Sequence, residues 1–182
     1  MRFPAMILVL LAGVFQPVLA EAPKAQEQAD SQVEKTVEQK SMDVLAQAGI
    51  RQSLEAIARS GGLYPFGLFS VNGDVKAVGY SGDRDKAPSE DDWAKALFVK
   101  LRQIGEEQPD VEMLSLYRLH TITNDAGEKI VGVWAQVDHR AVRPWVIFLP
   151  LIKNDEGKHE VGEPIYYATE QPLFAPEKGE QE

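Results

Sequence analysis

The sequence contains no cysteine in its 182 residues. This absence excludes a disulfide framework, a thiol nucleophile, a thiolate metal site and attachment of a lipid through cysteine. Histidine is also scarce: His120, His139 and His159 lie on separate segments, and no H-E-x-x-H spacing occurs. The sequence therefore lacks the common signatures of metal-centred and thiol catalysis, and we expect no bound metal and no cofactor.

Runs of positive charge are missing as well. The chain has 19 Lys and Arg residues against 28 Asp and Glu residues, which gives a net charge of −9. Nucleic acids and anionic membrane surfaces attract clusters of Lys and Arg, so we expect neither as a partner. The sequence contains no phosphate-binding loop and no glycine-rich dinucleotide fingerprint. The nearest match to the nucleophile elbow of α/β-hydrolases is Gly79–Asp83, which has Asp83 where the last glycine is required.

The N-terminal segment has the pattern of a secretory signal. Arg2 is followed by an apolar run over residues 5–15, by Pro17, and by the small-residue site that ends at Ala20. An apolar run of eleven residues is shorter than the roughly 20 residues of a transmembrane helix. We therefore predict a signal peptide over residues 1–20 and a periplasmic or secreted product without a membrane-spanning segment.

Composition divides the remaining chain into three parts. Residues 21–40 carry no aromatic side chain and are rich in charge, which predicts a polar, partly disordered tether. Residues 41–169 have the length and apolar content of a single domain. Residues 170–182 return to Pro, Glu and Gly, and we expect a frayed acidic tail there.

The first helix is predicted from Ser41 to Ser60, where Gly61 and Gly62 follow its apolar stripe. The same spacing extends weakly back toward Asp30, which leaves the start of the helix open, and Gly49 leaves open whether the stripe has two phases. A β-hairpin follows. Its turn is predicted at Asn72–Gly73, the dipeptide that best accepts the positive φ angles of a type I′ turn.

A second helix is predicted to begin after Ser89. Ser89 is a good N-cap, and Asp92 stands at the capping-box position three residues later. The apolar face of this helix is formed by residues that recur at steps of three and four: Trp93, Leu97, Leu101 and Ile104. We expect this face to pack in the core and Lys95 to point away from it.

The second half of the chain reads as strands. Three long β-branched and aromatic segments span residues 112–123, 129–138 and 144–153, and residues 160–169 add one more short strand. Pro150 lacks the ladder donor and predicts a bulge or an unpaired stretch. The predicted fold is α+β, with a five- or six-stranded antiparallel sheet, two packed helices and the order αββαβββ(β).

This order of elements, from residue 41 to about residue 153, resembles that of roadblock and longin domains. Those families have profilin-like folds, in which helices sandwich a five-stranded antiparallel meander, and the resemblance implies a non-catalytic scaffold or dimerisation module. The string Tyr64–Gly67 resembles openings of uncharacterised exported bacterial proteins, which implies no activity.

The densest positive segment is Asp138–Trp145, in which two arginines, an imidazole and an indole lie within eight residues. Such a group can bind a carboxylate or stack on a planar molecule. The alternative is a solvated connection whose arginines pair with the many acidic residues of the chain. The candidate binding residues are Tyr64, Phe66, Arg118, His139, Arg140, Arg143 and Trp145.

The functional hypothesis is a non-catalytic exported protein-binding module, for example of the inhibitor or immunity type. Its contact with a protein partner is expected at a sheet edge, at the aromatic hairpin or at the turn that contains Arg140. The alternative hypothesis is a small periplasmic hydrolase or ligand-binding enzyme that uses Asp138 and His139. The sequence leaves homo-oligomerisation open.

Overall fold

The computed structural model describes residues 34–154 and 159–175. They form two α-helices and an antiparallel sheet of seven strands, which confirms the predicted α+β class. The helices are α1 (Val37–Ser60) and α2 (Glu90–Glu107). The strands are β1 (Phe66–Val71), β2 (Asp74–Val78), β3 (Val111–Thr123), β4 (Lys129–His139), β5 (Val142–Lys153), β6 (His159–Val161) and β7 (Ile165–Ala168).

Helix α1 begins at Val37, four residues before the predicted Ser41. Thr36 caps it: its hydroxyl accepts a hydrogen bond from the Gln39 amide, while the Gln39 side chain accepts from the Thr36 amide. This capping box satisfies two donors at the helix start, so the helix begins inside the segment predicted as a tether. The helix ends as predicted, with Gly61 in the left-handed conformation at φ 76°.

Strands β1 and β2 form the predicted hairpin. Both Asn72 and Gly73 have positive φ angles, at 50° and 83°, as a type I′ turn requires. The other edge of β1 pairs antiparallel with β3, so the sheet has the order β2-β1-β3-β4-β5-β6. Helix α2 therefore connects two strands, β2 and β3, that flank β1 on either side.

The two helices pack on opposite faces of the sheet. Side chains alternate between the faces along each strand. On the α1 face, a core forms around Met42, Leu45, Tyr117, Val133 and Ala135. On the α2 face, a second core contains Leu97, Leu101, Val111, Leu114 and Leu173. Both cores are built from sequence-distant elements, so each helix is held mainly by tertiary packing.

The cap and apolar face predicted for α2 are present. The Ser89 hydroxyl accepts a hydrogen bond from the Asp92 amide at 3.1 Å and donates to the Asp92 carboxylate at 2.7 Å. Leu97 and Leu101 are fully buried, whereas Lys95 is exposed. Trp93 is only half-buried, and its indole N–H donates to the Pro65 carbonyl at 2.8 Å.

The predicted last strand is divided in two. Strands β6 and β7 both pair with the outer edge of β5, and Gly162–Pro164 separates them. The Pro150 carbonyl accepts a hydrogen bond from the Gly162 amide at 2.9 Å. Pro150 therefore lies opposite the gap between β6 and β7, where its missing N–H leaves no ladder hydrogen bond unmade. The break beside Pro150 matches the unpaired stretch that its missing N–H predicts.

A segment that follows β7 lies on the α2 face of the sheet. We call residues 169–175 the C-terminal strap. Leu173 is fully buried, its amide donates to the Asp138 carboxylate, and the Gln171 carbonyl accepts from the Gln136 side chain at 2.8 Å. These contacts order the start of the segment predicted to fray, because Leu173 enters the core beside α2.

The predicted signal peptide lies outside the described residues, as does most of the predicted tether. Within residues 34–154 and 159–175, no helix is long and apolar enough to span a membrane.

Candidate functional site

A cleft of about 680 Å³ lies between α2 and the start of the C-terminal strap. Strands β3 and β4 form its floor. We call it the Arg118 cleft. Its lining residues are Asp91, Ala94, Lys95, Phe98, Val99, Leu116, Arg118, Trp134, Gln136 and residues 168–171. Its volume is in the range of known ligand sites, which are concave, mostly apolar and carry a few placed polar groups.

The floor of the cleft brings a cation beside an indole. Arg118 on β3 and Trp134 on β4 are direct cross-strand partners, so their side chains leave the same face of the sheet. Leu116 and Gln136, the next cross-strand pair, continue this face toward the core and are both buried. Arg118 thus lies beside the Trp134 indole and next to the buried Leu116 and Gln136 side chains.

Arg118 is held loosely within the chain. Its side chain is 28% exposed, and its Nη1 lies 3.6 Å from Oδ1 of Asp91, whose own side chain is 83% exposed. This distance exceeds the 2.7–2.9 Å that is typical of a charge-assisted hydrogen bond. Across the described residues, the guanidinium donates no hydrogen bond to another side chain or carbonyl. Within the described part of the chain, its N–H donors are therefore left to solvent or to a ligand.

An aromatic row continues the floor beyond Arg118. The His120 ring meets the Trp134 ring edge-on with centroids 5.0 Å apart, and Trp134 stacks on Tyr167 at 5.7 Å. Partial burial lowers the pKa of His120, and the positive charge of Arg118 lowers it further, although Asp91 opposes this shift. The lowered pKa favours the neutral imidazole of His120, which offers one donor and one acceptor.

The two walls differ in character. Helix α2 contributes Phe98 and Val99, and Val99 is 65% exposed although it is apolar. The opposite wall is formed by residues 168–171, which the hydrogen bond from Gln136 to Gln171 fixes to the floor. Charges at the cleft are balanced, with Asp91 and Glu170 against Lys95 and Arg118.

Of the residues predicted for binding, Arg118 lies in this cleft, and the two hairpin aromatics lie elsewhere. Phe66 is only 8% exposed, because its ring stacks on Tyr117 at 4.9 Å in the α1 core. Tyr64 is half-buried, packs against Tyr80 and Trp93, and donates its hydroxyl to the Pro88 carbonyl at 2.9 Å.

The structure brings His139 and Arg140 into a second groove of about 510 Å³, at the start of α1. The Arg140 guanidinium donates to three carbonyls, those of Gly105, Gln108 and Val111, and lies over the Phe174 ring at 4.6 Å. Arg140 thus joins α2, β3 and the C-terminal strap. In the same groove, Nδ1 of His139 accepts a hydrogen bond from the Ala141 amide at 3.0 Å.

The last two predicted residues do not converge with Arg140. Arg143 is exposed on β5, and the half-buried ring of Trp145 meets Tyr166 edge-on with centroids 6.2 Å apart. The positive segment around Arg140 is therefore spread over several surfaces.

Asp138 and His139 point to opposite faces of the sheet, as neighbouring strand residues do. Asp138 is buried on the α2 face, where the Leu173 amide and the Gln136 side chain donate to it. Burial raises its pKa to about 6, although these donors and the Arg102 charge oppose the shift. His139 lies beside Val37 and Glu38 of α1. The acid–base pair of the hydrolase hypothesis is not assembled.

His120 and His139 lie at opposite ends of the antiparallel pair formed by β3 and β4. His120 pairs with Gly132 at one end of β4, and His139 pairs with Met113 at the other end. Among the residues whose placement is described, no group of three His, Asp or Glu side chains could hold a metal ion.

Sequence reasoning missed most of the Arg118 cleft, namely Phe98, Trp134, Gln136 and residues 168–171. One signal was present: the alternate residues of β3 change from the apolar Leu116 to the polar Arg118 and His120, which indicates that this face of the strand extends beyond the core. The register that sets Trp134 opposite Arg118 has no such local signal.

Comparison with known proteins adds no assignment to this geometry: no protein-family model, no curated protein and no solved structure matches the chain.

Proposed function

We propose that this protein is an exported, non-catalytic binding module that takes up a segment of a partner protein in the Arg118 cleft. The observation that carries the proposal is the half-buried Arg118 side chain, which lies beside Trp134 and Leu116 and, among the described residues, has an ion pair only with Asp91, at 3.6 Å. Such anchors, an arginine and a tryptophan in a pocket, dominate the binding energy of many protein interfaces.

The form of the cleft favours an extended segment as its occupant. The apolar side chain of Val99 and the ring of Tyr167 are solvent-exposed near its two walls, where a partner is able to cover them. Residues 168–171, at the end of β7, form the opposite wall, along which such a segment would lie. A non-catalytic role is supported by the separation of Asp138 from His139, because general acid–base catalysis requires groups within reach of one substrate.

Site-specific photocrosslinking in the native cells tests this proposal. A photoreactive benzoylphenylalanine replaces Val99, at the wall of the Arg118 cleft. The matched control carries it at Val44 of α1, an exposed valine that does not line the cleft; the two side chains are 65% and 68% exposed. We expect one discrete protein adduct from position 99, absent from position 44.

The adduct is then challenged with Trp134→Ala, which removes the aromatic floor. Mass spectrometry identifies the partner in the adduct from position 99. Loss of this adduct in Trp134→Ala supports uptake of the partner in the cleft. Equal adducts from positions 99 and 44, or none from position 99, would contradict the proposal. Recovery of the exported protein from the periplasm or the medium supports the location, and recovery from the cytosol alone contradicts it.

A further inference from the structure

We propose that the occupant of the Arg118 cleft is a peptide segment carrying a carboxylate beside a large apolar side chain, and that the carboxylate displaces Asp91 from Arg118. This inference rests on the proposed function, because it names the chemistry of the segment that the cleft takes up.

The carboxylate is inferred from the state of Arg118. A guanidinium has five N–H donors in a planar fork that matches the two oxygens of a carboxylate. The 3.6 Å approach of Asp91 does not fill this fork. A ligand carboxylate that makes two short hydrogen bonds is a better partner than Asp91, and the apolar floor strengthens these bonds by excluding water.

The neighbouring polar groups leave Arg118 as the charge that a ligand meets on the floor. The lowered pKa of His120 favours its neutral form. The Gln136 amide already donates to the Gln171 carbonyl and to Asp138. Lys95 lies on the rim, with its Nζ 3.4 Å from the Asp92 carboxylate, and Glu170 adds a negative charge on the opposite wall. A single anionic group, rather than an acidic cluster, therefore fits the site.

The apolar side chain is inferred from the surroundings of the guanidinium. Trp134 is the direct cross-strand neighbour of Arg118, and Phe98 lies on the wall above the floor. A ligand residue next to the carboxylate thus meets two aromatic rings. An aliphatic or aromatic side chain gains from this burial, whereas a polar side chain loses its hydration.

Asp91 acts in this arrangement as an internal stand-in for the ligand. The Asp91 carboxylate is mostly solvated, so its separation from Arg118 costs little free energy. The ligand carboxylate and the Asp91 carboxylate compete for the one guanidinium. A neutral residue in place of Arg118 should consequently weaken peptide binding, whereas a neutral residue in place of Asp91 should tighten it. A purely structural ion pair would instead lose binding, or stability, from either side.

The test uses a random dodecapeptide library displayed on phage and selected against the purified protein. Peptides whose binding is lost in Trp134→Ala are resynthesised and measured by fluorescence anisotropy. We expect them to share Asp or Glu next to a large apolar residue. Free-acid and amidated forms of short peptides that end in the same apolar residue then separate a C-terminal carboxylate from a side-chain carboxylate.

The variants supply the sharper result. Arg118→Gln should weaken binding of these peptides about tenfold or more, as expected for loss of a hydrogen-bonded charge pair. Asp91→Asn should tighten it about two- to fivefold, the range of an exposed ion pair. Lys100→Gln and Glu106→Gln make the same changes in net charge at exposed positions of α2 that do not line the cleft, and should change binding less than twofold.

Peptides that bind in the cleft without an acidic group, or weaker binding in Asp91→Asn, would overturn the carboxylate inference and leave the proposed function standing. If no selected peptide depends on Trp134, the Arg118 cleft is not a peptide site, and the proposed function and this inference both fail.

Discussion

At the scale of single residues, Gly49 of α1 lies directly against the Tyr117 ring of β3. Tyr117 is fully buried, and its hydroxyl donates to the Leu45 carbonyl at 2.8 Å. A Cβ atom at Gly49 would overlap the Tyr117 ring. The glycine that left the phase of the first helix open is thus the point where a continuous helix lies against the sheet.

We therefore expect Gly49→Ala to destabilise the protein, although alanine is the better helix former. Either the Tyr117 ring or the helix has to move, and overpacking of this kind costs about 1–3 kcal/mol or more. Gly62→Ala is the matched control, since a Cβ there meets no atom within 4 Å. Urea unfolding monitored by circular dichroism measures both variants, and equal stability of the two would contradict the contact.

Asp138 makes the stability depend on pH. Its pKa is raised by burial to about 6 from an ordinary 3.8, so the folded state binds the proton more tightly than the unfolded state. The stability from this protonated group is complete below pH 3.8 and is lost as the pH rises through 6. The difference between the two pKa values corresponds to about 3 kcal/mol of unfolding free energy.

Asp138→Asn removes this titration. Comparing the unfolding free energies of the parent and the variant between pH 4 and pH 7, we expect the parent to lose stability relative to the variant as the pH rises. Parallel profiles across this range would show that the carboxyl group is not buried as described.

At the scale of elements, neighbouring faces of α2 contribute to the core and to the Arg118 cleft. Leu97 and Leu101 are buried in the core on the α2 face of the sheet, whereas Phe98 and Val99 form the wall of the Arg118 cleft. The same helix therefore fixes the cleft to the core. A substitution on one face should change stability, and a substitution on the other face should change binding.

Leu97→Ala and Val99→Ala test this division. Leu97 is fully buried, so its truncation should cost about 2–5 kcal/mol through lost burial and an unfilled cavity. Val99 is mostly exposed, and its truncation should change stability by no more than about 0.5 kcal/mol. Thermal melts of the two variants decide the matter, since similar losses would mean that the faces of α2 are assigned incorrectly.

At the scale of the whole molecule, the two helices cover opposite faces of one sheet, and the C-terminal strap completes the α2 face. Arg140 and Asp138 hold the strap through Phe174 and the Leu173 amide. The same strap begins at the wall of the Arg118 cleft, so the wall is fixed to the core and not to a free tail.

Export is the prediction that belongs to the complete chain. The signal pattern of residues 1–20 predicts cleavage after Ala20, so the protein purified from its native cells should begin at Glu21. Intact mass spectrometry measures this directly. A soluble protein that retains Met1 or Arg2 would contradict the prediction.

The sequence by itself determined the local features: the turn at Asn72–Gly73, the cap at Ser89 and the order of helices and strands as far as β5. These depend on residues within three or four positions of one another, so the chain carries their signals locally. It also marked Arg118 as a binding candidate, but not its surroundings.

Only the tertiary structure decided that β1 lies beside β3, that Trp134 faces Arg118, that Phe66 is buried and that the C-terminal strap enters the core. The physical reason is that strand register and burial are set by packing between distant segments. The hydrogen bond from Gln136 to Gln171, which fixes one wall of the cleft, joins residues 35 positions apart. No periodicity or spacing in the sequence specifies such a pair.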